Sequence, residues 1–149
     1  MPHFTLQATA QGPLLGAYVG VSSARRTALL AASQPVPNPI LIQALVDTGA
    51  SGTCVDPSVL TTLGLSPTGS VTVNTPSTGN NPHVADQYDV SIVVPSGKPT
   101  HAPLIIPNLP VMCAELLAAQ GIHALIGRDI LSLCMLTYNG AEGFFTLAY

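Results

Sequence analysis

The chain has 149 residues, enough for one domain with one core, and 47% of them are hydrophobic. Charged residues make up only 7% and the net charge is −3, against roughly 25% charged residues in an average soluble protein. That balance leaves no electrostatic footprint for nucleic acid: Arg25, Arg26, Lys98 and Arg128 are the only strongly basic side chains.

A surface so poor in charge is relieved most simply by burying part of it in an oligomer; a monomer coated with Ser, Thr, Asn, Gln and Gly is the alternative. No apolar run approaches the length of a membrane helix, because Pro103, Pro107 and Pro110 break the longest one. Met1-Pro2-His3 lacks the basic start of a signal peptide, so a cytoplasmic location is expected. Cys54, Cys113 and Cys134 are odd in number and widely spaced, and read as small buried apolar residues in a reducing compartment. His3, His83, His101 and His123 show no metal-ligand spacing, so no metal is expected.

Pro and Gly, 14 and 13 residues, are spread along the chain and punctuate short apolar stretches, which predicts many short strands. Residues 1–12 read as a loosely ordered start to a single domain spanning 1–149. Pro13 to Val21 reads as the first strand. Ala24 to Ala32 is a short helix or an irregular excursion, and Gln34 to Pro39 is an extended connector, since its three prolines exclude regular hydrogen bonding. Ile40 to Val46 is a strong strand. Asp56 caps a short helix with Pro57 at its first position and Gly64 at its end. Val71 to Asn74 and Val84 to Val94 alternate as strands and form a hairpin around a turn-rich tip, Thr75 to Pro82. Pro103 to Ile106 is a short strand, Glu115 to Gln120 a helix, Ala124 to Gly127 a buried strand and Arg128 to Cys134 a helix. Met135 to Tyr149 is a hairpin turning at Asn139-Gly140.

The strand Ile40 to Val46 delivers Asp47 into a tight turn of small and hydroxyl residues, Thr48-Gly49-Ala50-Ser51. A carboxylate so placed can be half of a pair that activates water. Two carboxylates about 3 Å apart share one proton: the ionised one takes a proton from water and the protonated one donates to the scissile carbonyl. Gly49 permits close backbone approach, the Thr48 hydroxyl can tie the loop across a two-fold axis, and Ala50 leaves room for a substrate backbone. Alone the triplet is weak, with a chance occurrence on the order of a few per cent. While the triplet stands alone, an ordinary turn in which Asp47 makes an Asx-turn explains it better. The remaining acids, Asp56, Asp86, Asp89, Glu115, Asp129 and Glu142, lack the strand-then-Thr/Ser-Gly context. Asp129 reads as a structural acid at a helix start.

A second motif changes the weight of the first. Ala44-Leu45-Val46-Asp47-Thr48-Gly49-Ala50-Ser51 is followed, beyond the hairpin, by Ala124-Leu125-Ile126-Gly127-Arg128-Asp129-Ile130-Leu131. In these motifs and their order the chain resembles the retroviral-type (retropepsin-like) aspartic proteases, most closely their bacterial single-domain members, over roughly Leu14 to Tyr149. The resemblance implies an all-β fold with one or two short helices: a closed β-barrel with a flap hairpin, forming one lobe of a homodimer. It implies an aspartic endopeptidase without cofactors, whose partners are a second copy of itself and a peptide or protein substrate, with no nucleic acid and no membrane. Asp47 would be catalytic, with Thr48 and Gly49 in the interlocked loop at the dimer axis and Gly127 supporting that loop from behind. Ala50, Ser51 and the flap-tip residues Ser77, Thr78 and Gly79 would face substrate. Arg128 would anchor the structure through a carboxylate. Viral members often carry an Asp where this chain has Ser51, which leaves Asp56 and Asp129 as candidates for that partner. The chain also continues into Gly143 to Tyr149, so a dimer contact built differently is expected. The same fold without catalysis, as a peptide-binding or scaffolding domain, is the second reading; a β-rich ligand-binding monomer with a coincidental triplet is the third.

Overall fold

The computed structural model describes residues 1–75 and 79–149. Its elements in chain order are β1 (His3–Gln7), β2 (Leu14–Val21), α1 (Ser23–Ala31), β3 (Ile40–Val46), β4 (Cys54–Val55), α2 (Pro57–Thr62), β5 (Gly69–Val73), β6 (His83–Val94), β7 (Leu104–Cys113), β8 (Ala124–Ile126), α3 (Arg128–Leu131), β9 (Met135–Asn139) and β10 (Phe144–Ala148).

Six strands close on themselves in the order β2-β3-β8-β4-β7-β6, with β6 returning to pair with β2. Closure follows from alternation. Leu15, Ala17 and Val19 of β2, Ile42, Ala44 and Val46 of β3, and Val90, Ile92 and Val94 of β6 all point inward and are buried, while their sequence neighbours face outward. Most pairings are antiparallel, but β3 lies parallel to β8 and β4 parallel to β7. The first half of β6 leaves the ring and pairs with β5, from Gly69↔Gln87 to Val73↔His83, forming the expected hairpin. Gly79 in its turn has φ 53, the left-handed region where glycine is favoured. Ser77 and Thr78, expected at the hairpin tip, lie outside the described residues.

Several expectations are corrected. Residues 3–7 are not loose: β1 pairs with β10 from His3↔Ala148 to Gln7↔Phe144, making a three-stranded sheet β1-β10-β9 that buries Phe4. The expected strand at Pro103 to Ile106 runs on to Cys113 through two prolines. Pairing jumps from Ile92↔Ile106 to Val90↔Leu109, so Pro107 and Asn108 together oppose Ser91 in a β-bulge. Proline is tolerated in a bulge because the ladder is already interrupted there. Asn108 in turn accepts from the Ala24 N–H at the start of α1 (3.2 Å).

Glu115 to Gln120 yields only a 3-10 turn at Ala118–Gln120, ended by Gly121 at φ 85. Helix α3 stops at Leu131 and tightens into i to i+3 bonds up to Cys134. The cysteines are free but half-buried rather than buried. α2 forms as expected, with Asp56 capping the Ser58 N–H (3.0 Å) and Gly64 at φ 64. None of the helices of the described residues is long and apolar enough to cross a membrane.

Candidate active site

Parallel pairing of β3 and β8 places Val46 beside Ile126, so the chain leaves both strands at neighbouring points, at Asp47 and Gly127. The Asp47 N–H donates to the Ile126 carbonyl (3.0 Å), and the turn closes with the Ala50 N–H on the Asp47 carbonyl (3.3 Å). The Gly49 N–H donates to Asp47 Oδ1 (2.9 Å). That bond is the Asx-turn of an ordinary loop, and it also fixes one carboxylate oxygen. Asp47 is half-buried, whereas Thr48 and Gly49 are exposed.

Behind the turn, the two motifs lock together. A Cβ on Gly127 would stand 2.4 Å from the carbonyl carbon of Gly52 and 2.9 Å from the Thr53 nitrogen, so only glycine lets the two backbones touch. Thr53 is fully buried, and it ties the layers: its hydroxyl donates to Asp129 Oδ1 (2.7 Å), its N–H donates to Asp129 Oδ2 (2.8 Å), and its Oγ1 accepts from the Gly127 N–H (3.2 Å). The Arg128 N–H donates to the Ala50 carbonyl (3.0 Å). The Arg128 guanidinium donates from Nη1 to the carbonyls of Thr48 (3.0 Å) and Gly49 (3.3 Å).

This corrects the expected carboxylate partner of Arg128. Both candidate acids are engaged elsewhere: Asp129 with Thr53 and the Ile130 N–H, Asp56 with Ser58 and the Leu116 N–H (3.0 Å). Asp129 is structural, as expected. The buried hydroxyl it holds, Thr53, was not singled out from sequence; its one signal is a position four residues past Gly49, just beyond the first motif.

Asp47, Gly49, Ala50 and Ser51 line a cavity of about 410 Å³ whose other walls include Cys54, Met112, Leu125 and the hairpin residues Val73 to Thr75. A second cavity of about 740 Å³ adjoins it and reaches Pro57, His83 and Glu115. Thr48, Gly79, Gly127 and Arg128 line neither cavity; Gly127 and Arg128 stand behind the turn. Burial raises the Cys54 thiol pKa above its usual value, and the carboxylates of Asp129 and Asp47 push it further the same way. Among the described residues, no group of three or more His, Cys, Asp or Glu is placed to hold a metal ion.

The arrangement presents one oriented carboxylate at the floor of an open cleft. No curated protein sequence matches the chain. The crystal structure of a retropepsin-like aspartic protease from Rickettsia conorii is similar over 99% of this chain and 90% of that one, with a TM-score of 0.56 at 17% identity. That likeness shows a shared retropepsin-like fold. A family model described as aspartyl protease matches residues 38–130, which hold both the Asp47 turn and the Gly127 to Asp129 brace. The chain belongs to the aspartyl protease family.

Proposed function

We propose that the protein is an aspartic endopeptidase that works as a homodimer, with Asp47 of each subunit forming one catalytic pair. The observation that carries this reading is a single carboxylate, oriented by the Gly49 N–H, at the floor of a cavity where no second acid is found among the described lining residues. Water between the two carboxylates loses a proton to the ionised one and attacks the amide carbon. The protonated partner donates to the carbonyl oxygen, and the resulting gem-diol collapses as a proton passes to the leaving nitrogen. No covalent intermediate or cofactor enters this chemistry. Thr48 and Gly49 are exposed beside Asp47, which supports their meeting the second copy. The substrate would lie extended along the cleft, over Ala50 and Ser51 and under the β5–β6 hairpin acting as a flap, with Gly79 in its turn.

The test is cleavage of a peptide library by wild type and by Asp47→Asn. Wild type should cleave best at mildly acidic pH, lose specific activity on dilution, and be blocked by a hydroxyl-containing transition-state mimic. Asp47→Asn should fold without cleaving. Retained turnover in pure Asp47→Asn protein, or a rate flat from about pH 4 to 9, would rule the dyad out. A wild type that binds peptides without cleaving them would establish the silent, scaffolding reading instead.

A further inference from the structure

The cleft consists of two chambers with a common wall. Cys54, Val73, Thr75, Met112 and Leu125 line both the cavity at Asp47 and the larger one beyond it. Three of these side chains belong to one cross-strand row, because Met112 of β7 pairs with Cys54 of β4, and Cys54 pairs with Leu125 of β8. Met112 is the longest and most adaptable of the row, unbranched and carrying a polarizable thioether. Its N–H is pinned to the Thr53 carbonyl (3.0 Å), next to the brace behind Asp47. Its terminal methyl lies 3.5 Å from where a Cβ on Gly52 would stand, so the side chain runs along the floor toward the catalytic turn.

Resting on the protease reading above, we infer that Met112 is a specificity-determining residue: it partitions the two chambers and sets the largest substrate side chain accepted beside the scissile bond. The near chamber, about 410 Å³, shares Met112 with the far one. Its wall of thioether and thiol, backed by Leu125 and Val73, favours an aromatic ring over an aliphatic chain of similar size, because sulfur makes favourable contacts with ring edges. A longer side chain must displace Met112 to enter the far chamber, where Glu115 and His83 are among the lining residues.

The experiment uses one cleavable peptide varied only at the residue flanking the cut, as leucine, phenylalanine or biphenylalanine, and reads kcat/KM ratios within each enzyme preparation. Such ratios do not depend on how much protein is folded. Wild type should favour phenylalanine over biphenylalanine by about tenfold or more, the scale on which apolar pockets discriminate size. Met112→Ala should abolish or invert that ratio. Met112→Leu, which conserves volume, should keep the size limit while lowering the phenylalanine-to-leucine ratio severalfold. Unchanged ratios in both variants overturn this inference and leave the protease reading intact. Failure of wild type to cleave any peptide overturns both.

Discussion

Gly127→Ala tests the contact that joins the two motifs. The new Cβ would sit 2.4 Å from the Gly52 carbonyl carbon and 2.5 Å from its oxygen, both backbone atoms that no rotamer change can move. Relief requires the Gly52-Thr53 segment and the start of α3 to separate by about 1 Å, since ordinary contacts begin near 3.4 Å. That separation breaks the Gly127 N–H to Thr53 Oγ1 bond, now 3.2 Å, and stretches the Thr53 N–H to Asp129 bond, now 2.8 Å. Overpacking costs ~1–3 kcal/mol and a lost hydrogen bond about 1 kcal/mol, so ~3 kcal/mol in all is expected. For a chain of this size that lowers the Tm by ~9 °C at fixed protein concentration. Gly64→Ala is the control: Gly64 has φ 64 but nothing within 4 Å of a Cβ, so only backbone strain of about 1 kcal/mol applies. Thermal unfolding of both variants separates crowding from strain. Should Gly127→Ala melt within about 2 °C of wild type, the backbones do not touch and the brace described here is wrong.

Other perturbations probe the same architecture. Arg128→Ala removes two donors to the Thr48 and Gly49 carbonyls while leaving the core intact, so peptide cleavage should fall about tenfold with little change in Tm; undiminished kcat would mean the guanidinium does not steady the loop. At neutral pH Cys54 should alkylate slowly, because burial and then Asp129 and Asp47 disfavour its thiolate, and faster in Asp47→Asn, as read by mass spectrometry; equal rates would contradict that coupling. At Asp56, burial pushes the carboxyl pKa up, but the Ser58 hydroxyl, the N–H groups of Leu116 and Ser58, and His123 outweigh it, leaving the folded value lowered. Its contribution is therefore fully present above the unfolded value of about 3.9 and lost as pH falls through the folded one. Urea midpoints taken down to about pH 2 should decline less steeply for Asp56→Ala than for wild type; parallel curves would refute this.

What was legible in the sequence was local. Asp56, Pro57 and Gly64 announce α2 because cap, first position and stop are each chemical preferences of single residues. β3 is legible because Ile40 to Val46 is an apolar run interrupted only by Gln43. β1 and the far half of β7 were missed because each depends on a distant partner. His3 to Gln7 becomes a strand only against β10, and Pro107 is tolerated only because Ser91 stands alone opposite a bulge. The same division runs through the site. Asp47, Gly127 and Arg128 stand out as motif residues, whereas Met112 and Cys54 enter the cleft through a register that no motif encodes. The expected carboxylate for Arg128 failed for a related reason. Asp56 and Asp129 look available in a list of acids, but folding commits each to backbone donors and a hydroxyl of its own.

That commitment bears on where a second catalytic carboxylate could come from. Asp56 and Asp129 cannot turn toward Asp47 without abandoning the donors they hold, and none of Asp86, Asp89, Glu115 or Glu142 is among the described residues lining the Asp47 cavity. If two carboxylates act together, the second must be supplied from outside the chain, and a second copy offers one already oriented by its own Gly49. The consequence is quantitative. When wild type and Asp47→Asn subunits are mixed and allowed to exchange at random, a shared dyad survives only in dimers with two wild-type subunits, so an equal mixture should retain about one quarter of the wild-type rate. Independent sites on each subunit would leave about one half. Measuring cleavage across the full range of mixing ratios, at concentrations where sedimentation shows dimer, distinguishes a parabola from a straight line. A straight line would mean that one Asp47 suffices, and the pairing proposed here would be discarded.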